Sequence, residues 1–426
     1  MANIYIENYG CSANRSNAEI MAGLLEKAGC IIVSDEGSAD IIIINTCIVK
    51  GPTETKALKR FRETSSSGRP LIVSGCMPEA EYETVKNAAP EAILIGPQHV
   101  RDVVKAVDIL LNRKKKKDFV GEQHEIKLCL PKHRYNEVID IVQISEGCDG
   151  ACAYCITRFA KGKLFSYPAE KIISEIRSAV DAGCREIWLT SQDCASYEHG
   201  LHDLLQDISQ IPGRFFVRVG MMNPDKVLPM LDELIDAFKQ DKIFRFLHIP
   251  VQSGNDQVLK RMNRRYSVDD FRRIIRRFRQ AIPDITVSTD IICGFPGETE
   301  DQFNDSLKLI KEIKPDVMNI SRFWPRPGTP AEDMGDQVHG RITKQRSCMM
   351  QELHEKVSLE KNQKWIGWKG KALVDERGKK GTGTLIARNK SYRPVVVKQK
   401  KGQDKINLGD MVDVEIEDAT WFDLRT

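Results

Sequence analysis

Short apolar runs alternate with helical patterns over the first 112 residues of the chain. Four runs have the length and composition of buried strands, at residues 4–7, 41–45, 71–74 and 92–95. Apolar residues recur at helical spacing over residues 20–28 and again over 100–111. Strands and helices in alternation predict an α/β domain with a doubly wound parallel sheet.

A second alternation fills residues 136–325. Strand patterns fall at 138–144, 186–190, 215–220, 244–249, 285–292 and 317–323. Helical patterns separate them, for instance at 169–182, 226–239, 268–281 and 299–313. Six βα units are too many for a small open sheet and too few for a closed eight-fold barrel, so we predict a partial (β/α)6 barrel.

The remaining segments complete a four-part layout. Residues 362–426 combine short apolar runs with glycines at turn spacing, which predicts a small all-β barrel. The basic run at 113–117 interrupts the first pattern and is interpreted as solvated linker, with an RNA contact as the alternative. We therefore expect a first domain at 1–112, a basic linker at 113–133, a core at 134–361 and a last domain at 362–426.

Composition places the chain among ordinary globular proteins, because 41% of its 426 residues are hydrophobic and 29% are charged. No apolar run approaches the ~18 residues that a membrane-spanning helix needs. The first residues, Met-Ala-Asn-Ile-Tyr-Ile-Glu, are typical of a first strand and not of a signal peptide. We expect a cytoplasmic protein that does not associate with membranes.

Positive charge is concentrated near the C-terminus. Residues 362–401 contain 12 lysines and arginines against two acidic residues, and 362–426 contain 14 against nine. The rest of the chain is nearly neutral. A compact basic domain on a neutral body indicates a polyanionic partner, most often a nucleic acid.

Three of the twelve cysteines follow predicted strands of the first domain: Cys11, Cys47 and Cys76. The carboxyl ends of parallel strands share one edge of an open sheet, where ligands bind, so the three thiols are expected to converge. Three thiolates on a cubane cluster leave one iron without a protein ligand, whereas a structural zinc site needs four ligands. The alternative is three unrelated buried thiols, which is how Cys30, placed before its strand, is interpreted.

A tighter motif, Cys148-x3-Cys152-x2-Cys155, follows the first strand of the predicted barrel. The motif places three thiolates on one loop, and Tyr154 directly precedes Cys155. Zinc ribbons use paired Cys-x2-Cys units, and no fitting second pair follows downstream. An iron–sulfur cluster with one iron open to an exogenous ligand fits better, with zinc and chance spacing as the alternatives.

This cysteine loop resembles that of the radical S-adenosylmethionine enzymes. In those enzymes the open iron of a 4Fe–4S cluster chelates S-adenosylmethionine, and reductive cleavage releases a 5′-deoxyadenosyl radical. Segments 187–193, 248–254 and 290–298 are also similar, and they lie at the face where a barrel binds its ligands. An ordinary strand-to-helix turn is the alternative for each segment. The cofactor-binding residues that the resemblance implies are Tyr154 (packing on the adenine), Gln192, Gly294 and Glu298.

The complete architecture resembles the methylthiotransferases, which join a three-cysteine domain, a radical S-adenosylmethionine core and a TRAM-type β domain. The similarity includes segments 10–17, 45–47, 74–78 and 326–331, and it covers essentially the whole chain. It implies two 4Fe–4S clusters. Cys148, Cys152 and Cys155 would hold the radical-generating cluster, and Cys11, Cys47 and Cys76 an auxiliary cluster that delivers sulfur.

The residues after Cys155 indicate a branch of that family. Bacterial members usually carry proline three residues past this cysteine, where this chain has Arg158. The run resembles the archaeal and eukaryotic branch, which adds a methylthio group at C2 of N6-threonylcarbamoyladenosine at tRNA position 37. One alternative is another adenosine derivative or a protein side chain as target. A second is a non-catalytic, metal-containing RNA-binding protein.

The resemblance also implies partners: the anticodon loop of tRNA, an electron donor and a sulfur source. The basic domain suits contact with the tRNA backbone, with plain solubility as the alternative. The arginine-rich helix at 268–281 is interpreted as a solvated helix. The predicted RNA-binding residues are Lys369, Lys371, Lys379, Lys380, Arg388, Lys390 and Arg393.

Overall fold

The computed structural model describes residues 1–48, 51–399 and 405–426, with the side chains of residues 51 and 52 left out. Lys400 and Lys401 of the basic segment therefore lie outside the described residues. The first domain has strands β1 (Asn3–Asn8), β2 (Ile31–Val33), β3 (Ile41–Thr46), β4 (Leu71–Gly75) and β5 (Ile93–Ile95). Its helices are α1 (Ser12–Lys27), α2 (Gly51–Ser66), α3 (Cys76–Ala80), α4 (Tyr82–Ala88) and α5 (Val103–Leu111).

The first domain is a five-stranded parallel sheet in the order β2-β1-β3-β4-β5, which confirms the doubly wound prediction. Strand β3 is buried along its whole length. Its isoleucines alternate between the two faces: Ile41 and Ile43 pack in one core, and Ile42 and Ile44 in the other. A run of isoleucine suits this position because both faces of the sheet are covered by helices.

The central domain contains β6 (Ile139–Gln143), β7 (Ser145–Glu146), β8 (Phe165–Ser166), β9 (Glu186–Thr190), β10 (Phe216–Val219), β11 (Phe246–His248), β12 (Thr286–Cys293) and β13 (Val317–Arg322). Its helices are α6 (Thr157–Lys161), α7 (Ala169–Asp181), α8 (Leu201–Ser209), α9 (Pro224–Val227), α10 (Leu231–Phe238), α11 (Asp256–Arg261), α12 (Val268–Ala281), α13 (Glu300–Ile313) and α14 (Gly340–Gln363).

Six parallel strands of this domain form the predicted partial barrel. Strands β6, β9 and β10 form one sheet and β11, β12 and β13 another, and the parallel bridge between Val217 and Ile243 joins them. The helix predicted at 226–239 is broken into α9, a 3-10 turn and α10. Pro229 lies in that turn, where its missing N–H and its ring interrupt a continuous helix.

The last domain is all-β, as predicted. Its strands are β14 (Lys369–Arg377), β15 (Thr384–Asn389), β16 (Pro394–Lys398), β17 (Met411–Glu415), β18 (Asp418–Ala419) and β19 (Leu424–Arg425). They form one sheet in the order β17-β14-β15-β16-β19-β18 around a small apolar core.

The turn between β15 and β16 covers the end of the barrel where the amino ends of its strands lie. Tyr392 lies 4.8 Å from Phe244 and 5.1 Å from Phe246, ring centre to ring centre, and its hydroxyl donates to Glu186 at 2.7 Å. The carbonyl of Ser391 accepts from the hydroxyl of Thr286 at 2.5 Å. These partners lie at or next to the amino ends of their strands, so the last domain covers the barrel end opposite to the ligand-binding face.

Asp316 forms the buried ion pairs that connect the barrel, α14 and the last domain. Its carboxylate is paired with Arg393, and with Lys361 of α14 at 2.5 Å, while Arg279 lies 4.0 Å away. Burial opposes ionisation of Asp316, but the neighbouring cations hold its pKa below the usual value. Barrel, long helix and last domain therefore meet at one buried carboxylate.

The segment at 113–133 packs closely against both neighbouring domains after its first few residues. Residues 113–117 are exposed, in line with a solvated run, but Phe119 lies beside β5 and is buried. Lys127 and Lys132 are buried and form ion pairs with residues of the core domain. Across the described residues, none of the helices combines the length and apolar character that a membrane crossing requires.

We predict that Asp316→Asn lowers the free energy of unfolding by about 3–5 kcal/mol, because it leaves buried cations without their counter-ion. Urea denaturation followed by circular dichroism measures this loss. Lys369→Ala is the control: it removes an exposed ion pair with Glu415 and should change stability by less than about 1 kcal/mol. Equal effects of the two changes would contradict the central role of Asp316.

Candidate functional site

Helix α1 of the first domain packs on the first strands of the barrel. The hydroxyl of Ser16 donates to the carbonyl of Ile141 at 3.1 Å, and the amide of Gln143 donates to Asn17 at 2.9 Å. The hydroxyls of Ser12 and Thr190 lie 3.0 Å apart. Thr190 ends β9, so these contacts place the start of α1, and Cys11 directly before it, at the mouth of the barrel.

The structure brings the three cysteines of the first domain together. Cys11 precedes α1, Cys47 follows β3 and forms a hydrogen bond with Cys11, and Cys76 begins α3. The thiol of Cys76 donates to Asn14 at 3.8 Å, and the amide nitrogen of Asn14 in turn donates to the carbonyl of Thr46 at 2.5 Å. Helix α1 and two strand ends therefore meet at one group of thiols.

Gly10 is required for this approach. A Cβ atom at that position would lie 2.5 Å from Cys47 Cβ, and the backbone φ of +130° disfavours any other residue. The hydrogen bond with Cys47 lowers the pKa of the Cys11 thiol to about 6, whereas burial raises that of Cys76 to about 11. The Cys11 thiol therefore ionises readily. The buried Cys76 thiol does so only if a metal or a cation compensates the charge of its thiolate.

The second cysteine loop lies on the core domain and is held by backbone hydrogen bonds. The N–H of Ala153 donates to the carbonyl of Met262 at 3.0 Å, and the N–H of Ala331 donates to that of Ala153 at 2.9 Å. Two donors point at sulfur: the N–H of Gly150 reaches Cys148 Sγ at 3.2 Å, and Arg264 Nη1 reaches Cys152 Sγ at 3.1 Å. Sulfur atoms that accept charged and backbone hydrogen bonds suit thiolates, the form that binds metal.

Each cysteine group supplies three thiols, the ligand type that holds iron–sulfur clusters. Among the residues that the structure describes, no three His, Cys, Asp or Glu side chains come close enough to hold a single ion. The assignment of the six cysteines to clusters stays a prediction.

A polar relay that the sequence did not reveal leads to Cys152. Arg264 Nη2 donates to Asn223, whose amide donates to the buried Asp193 at 2.8 Å. Asp193 also accepts from the N–H groups of Asn223 and Ala195, each at 3.1 Å. Arg264 lies in the turn after α11, outside any strand end, so only the fold shows that it reaches the cysteine loop.

A shallow cleft opens beside this relay and is lined by polar residues, including Asp149, Cys152, Asn223, Lys226 and Arg264. The lining carries both carboxylates and cations, and Lys226 pairs with Asp149 at 2.5 Å. Such a lining can bind a small zwitterion next to the cysteine loop.

Tyr154 belongs to the cysteine loop and Gln192 to the loop after β9, and their predicted role in cofactor binding stays a prediction. Tyr154 packs edge-on against Phe295, with ring centres 6.4 Å apart. Gln192 follows β9, and its side-chain oxygen is buried with no hydrogen-bond partner in the described part of the chain. A buried acceptor of this kind suits a ligand that donates a hydrogen bond.

Gly294 and Glu298 make structural contacts. A Cβ atom on Gly294 would lie 2.2 Å from Thr343 Cγ2 of α14, and its φ is +77°. The carboxylate of Glu298 accepts from the N–H of Gly294 and from Arg346, both at 2.8 Å. Both residues therefore fasten α14 to the barrel, and their predicted role in cofactor binding stays a prediction.

Polar contacts also form within the three strand-end segments that the sequence analysis singled out. Asp290 accepts from His248 at 3.0 Å and from Asn319 at 2.7 Å. Trp188 lies near two guanidinium groups, those of Arg15 from α1 at 5.9 Å and Arg218 at 5.0 Å. The sequence indicated the segments but not these partners, which come from other strands and from the first domain.

The predicted RNA-binding residues fall into two sets. Lys369, Lys371, Lys379 and Lys380 are exposed. The charged groups of Arg388, Lys390 and Arg393 are engaged within the protein, and their predicted role in RNA binding stays a prediction. Arg388 pairs with Asp375 at 3.2 Å, Arg393 is buried against Asp316, and the ammonium of Lys390 donates to the carbonyls of residues 240 and 241.

Comparison with known proteins agrees with this geometry. The radical SAM superfamily matches residues 142–310, the uncharacterized protein family UPF0004 matches 3–96, and the TRAM domain matches 369–425. The radical S-adenosylmethionine methyltransferase TsrM of Kitasatospora setae superposes with a TM-score of 0.60 at 13% identity, over 78% of this chain and 75% of its own. That likeness confirms the fold. Cysteine loop and barrel thus place the chain in the radical SAM superfamily, which implies a 4Fe–4S cluster and S-adenosylmethionine.

Two relatives define the family more narrowly. A probable threonylcarbamoyladenosine tRNA methylthiotransferase of Pyrococcus abyssi is 42% identical, over 93% of this chain and 94% of its own length. A threonylcarbamoyladenosine tRNA methylthiotransferase of Xenopus laevis is 35% identical, over 98% of this chain and 75% of its own. The chain belongs to the threonylcarbamoyladenosine tRNA methylthiotransferase family.

Proposed function

We propose that this protein adds a methylthio group to C2 of N6-threonylcarbamoyladenosine at tRNA position 37. The observation that carries the proposal is the placement of both cysteine groups at the mouth of one barrel, brought about by α1. When bound, the radical-generating cluster would supply the electron that cleaves S-adenosylmethionine, the auxiliary cluster would supply sulfur, and a second S-adenosylmethionine would supply the methyl group. Cys148, Cys152 and Cys155 hold the radical-generating cluster, and Cys11, Cys47 and Cys76 the auxiliary cluster.

The cleft beside Cys152 binds S-adenosylmethionine in this proposal. Arg264 contacts the cysteine loop and is fixed by Asn223, so its guanidinium is positioned to donate hydrogen bonds to the carboxylate of the amino acid end of S-adenosylmethionine. Tyr154 and Gln192 complete the site with an aromatic face and a free acceptor. An electron donor and a sulfur source are required, and the donor must reach the cluster from the surface.

The last domain binds the tRNA backbone through its exposed lysines. Lys379 and Lys380 lie in the turn between β14 and β15, and neither takes part in an ion pair with a described residue. That turn and the barrel-closing turn at 390–393 lie at opposite ends of the six-residue β15, about 17 Å apart. The turn at 390–393 therefore holds the domain against the barrel, and the turn with Lys379 and Lys380 is available to bind phosphates.

The reaction is tested with anaerobically reconstituted protein, S-adenosylmethionine, a reductant and tRNA carrying threonylcarbamoyladenosine. We expect mass spectrometry of the digested nucleosides to detect the methylthio product with the unaltered chain and with Cys184→Ala, a buried thiol outside both groups. Cys148→Ala should abolish both the product and 5′-deoxyadenosine. Cys47→Ala should abolish the product.

The outcomes separate the parts of this proposal. Formation of 5′-deoxyadenosine without product from the unaltered, fully loaded protein would contradict the substrate but not the radical chemistry. Absence of both from protein shown to contain two clusters would contradict the catalytic function. Iron bound only by Cys148, Cys152 and Cys155 would contradict the auxiliary cluster.

We predict that Arg264→Met weakens binding of S-adenosylmethionine about 10- to 100-fold, since a hydrogen bond to a charged group contributes about 1.5–3 kcal/mol. Equilibrium dialysis of the cluster-loaded protein measures the dissociation constant. Arg265→Met, which alters the exposed neighbour at the rim of the cleft, is the control and should change it less than threefold. A similar loss of affinity in both variants would show that the overall positive charge of the cleft, and not a specific contact with Arg264, binds S-adenosylmethionine.

We predict that Lys379→Ala combined with Lys380→Ala lowers the slope of log K against log salt for tRNA binding by about 1.4–1.8, the contribution of two phosphate contacts. Filter binding over a range of salt concentrations measures this slope. Lys308→Ala, on the outside of α13, is the control and should leave it unchanged. An unchanged slope in the double variant would show that this turn does not meet the tRNA backbone.

A further inference from the structure

Three charged side chains are buried together between the first domain and the barrel. The ammonium groups of Lys127 and Lys161 both reach Oε1 of Glu146, at 2.7 and 2.8 Å. The exposed fraction of their side chains is 1% for each lysine and 3% for Glu146. Lys127 also donates to the carbonyl of Pro97 at 2.6 Å.

This group carries an excess positive charge. Burial lowers the pKa of Lys127 to about 8, yet leaves it mostly protonated at neutral pH. Burial acts the same way on Lys161, but Glu146 outweighs it and raises the pKa of that lysine. In the described part of the chain, no carboxylate other than Glu146 bonds to either ammonium. A buried charge without a counter-ion is unfavourable, so an anion is expected nearby.

The position of Lys161 indicates where that anion lies. Lys161 is the last residue of α6, which packs on α3, the helix that begins with Cys76. Ile156, which directly precedes α6, and Ala160, which lies within α6, belong to the same apolar core as Cys76. The amide of Gln98 in the first domain donates to the backbone carbonyl of Lys161 at 3.0 Å and holds the end of the helix there.

Lys161 therefore lies on the helix that packs against the start of α3, and its charge acts on the thiols of Cys76 and Cys11. Its charge favours the ionised form of both. Lys127 shares the same carboxylate and also donates a hydrogen bond to Pro97, whereas Lys161 belongs to α6, which packs on the helix that begins with Cys76. The two lysines thus differ in their position relative to the cysteine group.

We propose that Lys161 is a positioning residue of the auxiliary cluster, whose ammonium, fixed by Glu146, compensates the charge of the cluster held by Cys11, Cys47 and Cys76. This inference rests on the auxiliary cluster of the proposed function. A 4Fe–4S core of charge +2 with three thiolates has a net charge of −1, which matches the single excess positive charge of the buried group. The radical S-adenosylmethionine domain thereby contributes a charged residue to the first domain's cluster.

The pair of lysines provides a matched test. Lys161→Met leaves Glu146 paired with Lys127, and Lys127→Met leaves it paired with Lys161, so each variant keeps one neutral buried pair. If the group serves only to hold the two domains together, both changes should have equal effects. If Lys161 compensates the cluster, only its removal should alter the cluster strongly, because net charge and hydrogen bonds to sulfur set the reduction potential.

The experiment uses the full chain with Cys148→Ala, Cys152→Ala and Cys155→Ala, so that only the auxiliary cluster holds iron. After anaerobic reconstitution with iron and sulfide, iron content and an EPR-monitored redox titration are measured, with thermal unfolding as a check on folding. With Lys161→Met we expect at least a tenfold lower ratio of reduced to oxidised cluster at a fixed potential, equivalent to about 59 mV for one electron. Lys127→Met should change the ratio less than threefold, and Lys161→Arg should restore it.

The outcomes distinguish this inference from the proposed function. An unchanged potential with Lys161→Met, or equal shifts with Lys161→Met and Lys127→Met, in folded protein would overturn the role of Lys161 while leaving the auxiliary cluster intact. Failure of the triple cysteine variant with native lysines to bind iron would overturn the auxiliary cluster, and the inference with it.

Discussion

The docking of α1 on the first strands of the barrel is the contact on which the rest of the site depends. Both sheets are parallel, and each carries cysteines beyond the carboxyl ends of its strands. Two such edges face each other only if the domains are joined in one orientation. Ser12, Ser16 and Asn17 provide that orientation through polar contacts with Thr190, Ile141 and Gln143. Directional hydrogen bonds define an orientation more narrowly than apolar packing does.

The charges of the chain divide into those that hold domains together and those that remain available. Asp316 with Arg393, and Glu146 with Lys127 and Lys161, are buried at domain boundaries. Lys379 and Lys380 extend into solvent at the far end of the last domain. A buried ion needs its partner to offset the loss of hydration, so these boundaries tolerate little change. An exposed lysine stays hydrated and needs no partner within the protein, so it can bind a polyanion.

Both proposed cluster sites pair thiols with a cation from another part of the fold. Arg264 reaches Cys152 across the mouth of the barrel, and Lys161 lies on α6, which packs across the domain boundary on the helix that begins with Cys76. A thiolate in a low-dielectric site is stabilised by such a partner. The same arrangement favours the ligand form of the cysteines and keeps each cluster tied to the rigid body of the barrel.

The six-stranded partial barrel, the doubly wound first domain, the all-β last domain and the two groups of three cysteines could all be predicted from local sequence patterns. These follow from local periodicity and from the rule that parallel strands end at one edge, which need no knowledge of distant contacts. Distant contacts in the folded chain, by contrast, bury Arg393 against Asp316, place Lys161 in a buried ion group at the domain boundary and bring Arg264 to Cys152. Each of those cations owes its role to partners far away in sequence, or placed by another domain. The energy of a buried charge depends on what surrounds it in space, and composition or periodicity does not encode that.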